Sequence, residues 1–475
     1  MELNVPLSQL SVLPVDGKLF VMDRHRARWL FLQGSDIAAF RLLGRSESDL
    51  SEPDRDQRAR MIDRLHAAQF GVDIAQQTAL TTLILKLTKV CNYRCKYCYD
   101  MEPEDTALHL SQPVALKAIE DAIEIAARPE SVRSGADLTV ILHGGEPTLM
   151  FPLIKKLVIE GKEMARRRGK TVRFCGQTNL SRVDEAFVDF ANEHQVGWGV
   201  SLDGPAPMND RLRVLPSGDG TYSYFARALE RFPEFVRRSS VMSVITSMNQ
   251  SHLLSIARHF RDCGMAGWDW TLFQAIGQAR ASDGLRFSTD RLIDSWNDLF
   301  DAVEGGEFDG FEVRPVKSYL DNLVMGPGGN MCMRQHCGAA RDLMSVSYDG
   351  TIEACDCIDR KGPLANLGLI QIQSKNSLEA ARQSEKADLI RSRNVELGKC
   401  QSCMWLSVCG GTCLAYSPSI HDVYEPHCRI AMNAFSRIVN SLSKSDALYR
   451  YWNSAEQARA EKREASSARA GSTLH

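Results

Sequence analysis

The sequence predicts an α/β chain: a partial (β/α)6, TIM-like barrel with a small N-terminal α+β module and a loop-rich, cysteine-bearing C-terminal domain. Three observations point there. Between about 80 and 280, six apolar strand-like runs alternate with amphipathic helical stretches, the pattern of a parallel sheet. Residues 1–75 hold three short strand runs and then two helical segments. Beyond 326 the periodicity fades, yet nine of the fourteen cysteines fall there.

In chain order, "SVLPV", "KLFVMD" and "RWLFLQ" read as strands, with Asp16-Gly17 turning between the first two. "SDIAAFRLLG" reads as a helix capped by Ser35 and closed by Gly44. "SESDLSEPDRDQ" reads as a loop and "RARMIDRLHAAQFG" as a second helix, with a polar linker, "DIAQQTAL", after it. The barrel strands are "TLILKLT", "LTVILHGG", "VRFCGQTN", "GWGVSLDG", "SVMSVITSMN" and "WDWTLFQAI". Reactive groups in such folds collect at the carboxyl ends of the strands. The expected domains are 1–75, 80–285, a helical linker over 286–325, and 326–450 with its closing helix. A tail over 453–475 lacks apolar periodicity and is expected to be disordered.

Composition excludes several classes. The 475 residues are 44% hydrophobic with a formal charge of −2, so no global field draws the chain to nucleic acid or membrane. No run approaches the ~18–20 apolar residues of a spanning helix, and "MELNVPLSQL" lacks a secretory pattern. A cytoplasmic monomer is the expectation. Fourteen cysteines in a reducing compartment argue for metal or catalysis over disulfides.

"KLTKVCNYRCKYCYD" places Cys91, Cys95 and Cys98 within eight residues, directly after the first barrel strand. Soft thiolates select zinc, Cu(I) or iron–sulfur clusters. Structural zinc takes four closed ligands, whereas three thiolates around a 4Fe–4S cube leave one iron open to a small molecule. A zinc loop or unrelated buried thiols is the competing reading. The x3, x2 spacing resembles the signature of radical S-adenosylmethionine (SAM) enzymes, and Tyr97 before the third cysteine fits that family. The resemblance implies that SAM chelates the open iron and is reductively cleaved. The resulting 5′-deoxyadenosyl radical takes hydrogen from a C–H bond.

Other segments carry the same resemblance. "HGGEP" supplies Gly144, Gly145 and Glu146, which match the motif that meets SAM's amino group. "QTNL" stands where the family often shows Thr-Asn. By resemblance, Ser201 of "SLDGP" and Arg213 of "NDRLR" hold the ribose and carboxylate, Arg because its planar fork bonds carboxylate bidentately. Asp203 reads as structural or substrate-facing, and Leu272 and Phe273 should line the adenine.

The distal cysteines, with Gly350 separated from Cys355 by four residues and then "CQSCMWLSVCGGTC" and Cys428, resemble the SPASM domain. By position that implies two auxiliary 4Fe–4S clusters, three in all. Cys332, Cys337, Cys355 and Cys413 would hold one auxiliary cluster, and Cys400, Cys403, Cys409 and Cys428 the other. Cys357 is unassigned, while Cys175 and Cys263 read as buried hydrophobes. Asp356 matches the catalytic base of anaerobic sulfatase-maturating enzymes, a SPASM branch; a loop Asp bonded to amides is the alternative.

The branch implies a peptide or protein substrate and a flavodoxin- or ferredoxin-type electron donor. The favoured reading is maturation of a ribosomally made precursor peptide by a C–C, ether or thioether crosslink. Residues 1–75 resemble the winged-helix recognition element that pairs with a leader peptide; a structural cap is the alternative. Formylglycine formation in a sulfatase is the second activity. A non-catalytic iron–sulfur electron carrier is a third possibility, opposed by the incomplete ligand set of the three-cysteine loop.

Overall fold

The computed structural model describes residues 3–73, 79–102, 107–127, 136–326, 332, 337–396, 398–417 and 419–472. The chain forms two compact units, 1–76 with 316–337 and 393–450, and 77–315 with 338–392 and 451–475. Both are discontinuous, so they cut across the expected domain boundaries. Most of the expected linker "DIAQQTAL" lies outside the described residues.

In the first unit, β1 (Leu10–Val15), β2 (Lys18–Asp23) and β3 (Arg28–Leu32) form an antiparallel sheet. Asp16 and Gly17 both take positive φ, the two-residue turn whose twist suits a hairpin. Helices Ser35–Arg41 and Glu52–Ala67 follow, packing around Val21, Leu32, Met61, Leu65 and Phe70. Ser35 is not the cap expected: Gly34 holds that position with φ 55, and Ser35 is the first helical residue. Ser51 does cap the second helix, accepting from Asp54 N at 3.3 Å. That helix begins at Glu52, inside the segment expected as a loop.

This module shares a core with the second cysteine field. Phe20 lies 6.0 Å from Trp405, which stacks on Phe435 at 5.3 Å. Trp29 Nε1 donates to Leu323 O at 2.8 Å. The N-terminal sheet is therefore built into its unit and is not a separable appendage.

The second unit holds a ten-stranded sheet. Its centre is the six expected strands, parallel and in chain order: β4 (Thr82–Thr88), β5 (Leu138–Gly144), β6 (Val172–Thr178), β7 (Gly197–Ser201), β8 (Ser240–Ile245) and β9 (Gly267–Leu272). Helices such as Gln112–Ile125 and Phe151–Arg167 connect them. Beside β9 lies β10 (Glu312–Val313). At the other edge β11 (Leu343–Val346) runs parallel to β4, followed by antiparallel β12 (Thr351–Glu353) and β13 (Gly368–Leu369). Part of the segment expected in the cysteine domain thus extends the barrel sheet.

The segment expected to be a disordered tail is instead helical: one helix spans Ala447–Ser472. Its Ala, Glu, Lys and Arg content is strongly helix-favouring. Buried Tyr451 anchors its start, accepting from Val313 N at 2.8 Å. Among the described residues no helix is long and apolar enough to cross a membrane.

Candidate active site

The loop after β4 is tied to the far side of the barrel. Arg94 N donates to Val214 O at 2.7 Å and Lys96 N to Leu212 O at 2.9 Å. These bonds bring Arg213 to the three-cysteine loop. Its Nη1 donates to Tyr97 Oη at 2.9 Å, and Tyr97 Oη donates to Asp203 Oδ2. All three side chains are buried. Asp203 also accepts from Val244 N at 3.0 Å, so it fixes both Tyr97 and, through it, Arg213.

Burial pushes the Cys91 and Cys98 thiols up to about 12, and Cys95 up as well, with Arg213 working against the rise at Cys91 and Cys95. Three soft donors packed together in a poorly solvated loop are costly as bare thiolates and well matched to a soft cation. The donor set fits an iron–sulfur corner. Asn179, of the Thr-Asn pair in "QTNL", neighbours the loop: its Nδ2 lies 3.9 Å from Cys91 Sγ and donates to Asn92 Oδ1 at 3.1 Å.

Gly144 and Gly145 permit the close approach of the end of β5 to the chain leading into Cys91. A Cβ on Gly145 would meet Val90 O at 2.4 Å, and one on Gly144 would meet Thr88 O at 2.4 Å. The Glu146 carboxylate is committed to the fold. Oε1 accepts from Thr148 N, Thr148 Oγ1 and Thr178 Oγ1, and Oε2 from Asn179 N at 2.7 Å. Ser201, at the end of β7, accepts from Gln177 Nε2 at 2.9 Å. Leu272 and Phe273 are buried at the end of β9, where Phe273 packs with Tyr97.

A cavity of about 250 Å³ opens beside this loop, lined by Lys86, Tyr99, Asp100, Asp356 and Arg360 among others. Lys86 sits in the middle of fully buried β4. Its Nζ donates to Asp356 O at 3.0 Å and lies 3.4 Å from Asp100 and 3.5 Å from Glu353. Although burial works against its charge, Asp100, Glu353 and Asp356 hold Lys86 firmly protonated. The Asp356 carboxylate receives Tyr99 Oη at 3.4 Å and the Cys355 and Cys357 thiols at 3.5 and 3.7 Å. Register puts His143 of β5 beside Lys86, and Ser345 of β11 beside Glu353. Asp100 Oδ2, His143 Nδ1, Ser345 Oγ and both Glu353 oxygens are buried without a hydrogen-bond partner among the described residues. This polar interior, unusual for a barrel, was foreshadowed only by the lysine in "TLILKLT".

In the other unit, Cys400, Cys403, Cys409 and Cys428 lie close enough for their charges to act on one another. Cys337 and Cys413 belong to the same unit, and Cys332 is exposed. Cys355 belongs to the barrel unit, where Asp356 and Cys357 are its neighbours.

Residues 85–260 match the family model described as the radical SAM superfamily. That stretch is a radical SAM domain. The chain is 23% identical over 353 residues to the cysteine-type anaerobic sulfatase-maturating enzyme of Clostridium perfringens (strain 13 / Type A), covering 72% of this chain and 91% of that protein. It is 23% identical over 356 residues to the serine-type enzyme of Bacteroides thetaiotaomicron, covering 70% and 82%. Among solved structures it resembles anSMEcpe with bound AdoMet, with a TM-score of 0.65, 19% identity, and coverage of 79% of this chain and 98% of that one. It also resembles Streptococcus suis SuiB bound to the precursor peptide SuiA, with a TM-score of 0.53, 14% identity, and coverage of 89% and 99%. These likenesses show the fold, a radical SAM barrel. As a radical SAM enzyme the chain depends on SAM and on iron–sulfur chemistry.

Proposed function

We propose that this radical SAM enzyme oxidises a side chain of a peptide or protein, with Asp356 as the base. Cys91, Cys95 and Cys98 would hold a cluster that, with SAM, would supply one-electron hydrogen-abstraction chemistry, and the second cysteine field would hold clusters that supply an electron sink. The chain's own residues do the rest. Gly144, Gly145 and Glu146 shape the strand end beside the cofactor. Ser201 and Arg213 bind it, and Tyr97 and Asp203 orient Arg213. Asp356 accepts the proton that leaves as the substrate gives up its second electron, so the product is two hydrogens lighter.

The observation that carries this reading is the Asp356 carboxylate itself. It borders the cavity, hydrogen-bonded by Tyr99 of the cluster loop, and has no ion pair among the described residues. A carboxylate that borders a polar cleft and is not locked in an ion pair is placed to act as a general base.

The finer reading is oxidative crosslinking of a ribosomally made precursor peptide. Two features support it. The SuiB likeness spans more of this chain than the anSMEcpe likeness does. The N-terminal sheet also has β1 and β3 as edge strands, suited to strand addition by a leader. Formylglycine formation remains the second reading, on the strength of the curated relatives. Co-expression with a candidate peptide, read by mass spectrometry, separates them. A loss of about two hydrogens per site within the peptide is expected for crosslinking. An aldehyde formed on a sulfatase Cys or Ser, with no peptide product, would overturn it. Asp356→Asn should abolish the product while uncoupled SAM cleavage continues; equal loss of both would remove Asp356 from the chemistry.

A further inference from the structure

The second cysteine field encloses a buried cation that the proposed function does not use. Arg393 is 2% exposed. Its Nη1 donates to Thr412 O at 3.2 Å. Its Nη2 donates to Gly411 O at 3.1 Å, Ser417 Oγ at 2.9 Å and Asp422 O at 2.8 Å. Every one of these acceptors is neutral, and among the described residues no carboxylate pairs with it. Nε has no hydrogen-bond partner among the described residues. Burying a guanidinium against neutral acceptors alone is expensive, so a buried charge of this kind is normally paired.

The turn Arg393 holds lies between two thiols, Cys409 and Cys413, and other thiols lie within electrostatic range. Burial depresses Arg393, and the groups that oppose the depression are Cys337, Cys413, Cys400 and Cys409. The carbonyls it holds belong to the tight turn between Cys409 and Cys413. There Gly410, Gly411 and Thr412 all take φ near +70°, and Thr412 is β-branched, a type that rarely adopts it. Arg393 therefore pins the very turn that aims two of the thiols.

The ligand set that the SPASM resemblance implies places Cys337 with Cys413 in one auxiliary cluster and Cys400 with Cys409 in the other. We propose that Arg393 is a shared counter-charge for both auxiliary iron–sulfur clusters and raises the reduction potential of each. This rests on the reading that the field holds two clusters. A cluster with four thiolates gains negative charge on reduction, and a fixed cation nearby favours the reduced form. The unpaired guanidinium is the mark left on the protein by anions that arrive with the metal.

The test uses full-length protein, reconstituted anaerobically, with iron and sulfide assayed before redox titration followed by electron paramagnetic resonance. Arg393→Gln keeps amide donors for the turn and removes the charge. Arg393→Lys keeps the charge and loses the planar fork. The expected result is a shift of both auxiliary potentials downward in Arg393→Gln, by at least tenfold in the reduction equilibrium, about 59 mV for one electron. Arg393→Lys should stay near wild type, and the SAM-binding cluster should be unmoved in both. Loss of auxiliary iron in Arg393→Gln but not in Arg393→Lys would support the same charge requirement. Unchanged potentials, or equal loss of iron in both variants, would overturn the proposal and leave Arg393 a scaffold residue. Wild-type protein holding iron for a single cluster would instead overturn the two-cluster reading on which it rests.

Discussion

Lys86→Met removes the only cation buried in β4 while keeping the volume of the side chain. Lys86 is 1% exposed and stands between Asp100, Glu353 and the main chain of Asp356. Removing one partner of a buried ionic group costs about 3–5 kcal/mol. At roughly 2–4 °C per kcal/mol, that is on the order of 10 °C in the melting midpoint. The loss should depend on pH in a definite direction. In the intact protein burial tends to raise Asp100, but Lys86 and His143 overcome it and hold Asp100 below its ordinary value. A lowered carboxylate contributes stability above its unfolded-state value and loses it only on acidification. Glu353 is raised by burial even with Lys86 and Arg360 beside it. Without Lys86, burial governs both carboxyls and both rise. A raised carboxyl favours the folded state when protonated, so the variant should lose stability as pH climbs from 5.5 to 8. Thermal melts of wild type and Lys86→Met at both values measure this. The gap between them should be wider at pH 8. A gap that is equal at both, or wider at pH 5.5, would refute the ionic account of this interior.

Other consequences are more local. Asp203→Asn should raise the KM for SAM about tenfold with a smaller effect on kcat, since it loosens Tyr97 and Arg213 without touching the reacting atoms; steady-state kinetics of 5′-deoxyadenosine release would show it. Gly145→Ala should cost several-fold in SAM affinity and destabilise the barrel unit, because its Cβ would sit 2.4 Å from a carbonyl oxygen of the backbone; calorimetric titration with SAM and a thermal melt read the two effects.

The six central strands were legible because each is a dense apolar run bounded by a helix pattern, and they pair with sequence neighbours. The strands added at the edges were not. β10 and β13 have two residues each, and β11 pairs with β4 across most of the barrel, a long-range pairing with no local signature. Ser35 was misplaced as a cap because Gly34 ahead of it supplies the positive φ. The tail helix was missed because a surface helix of Ala, Glu, Lys and Arg has little apolar stripe to detect. Of the site, the cysteine spacings and the glycine motif were readable as local strings. Lys86, Asp100 and Glu353 were not read as a group, since they meet only when β4 and β12 fold into one sheet. Arg393 stood seven residues before Cys400 in a charged helix, where a surface role is the default.

The most direct test of the central claim compares wild type with the Cys91→Ala, Cys95→Ala, Cys98→Ala variant, both reconstituted anaerobically and given SAM and dithionite. Wild type should contain iron and sulfide and release 5′-deoxyadenosine; the variant should release none while keeping iron in its second cysteine field. Undiminished cleavage by the variant, or wild type carrying zinc in place of iron, would contradict the account.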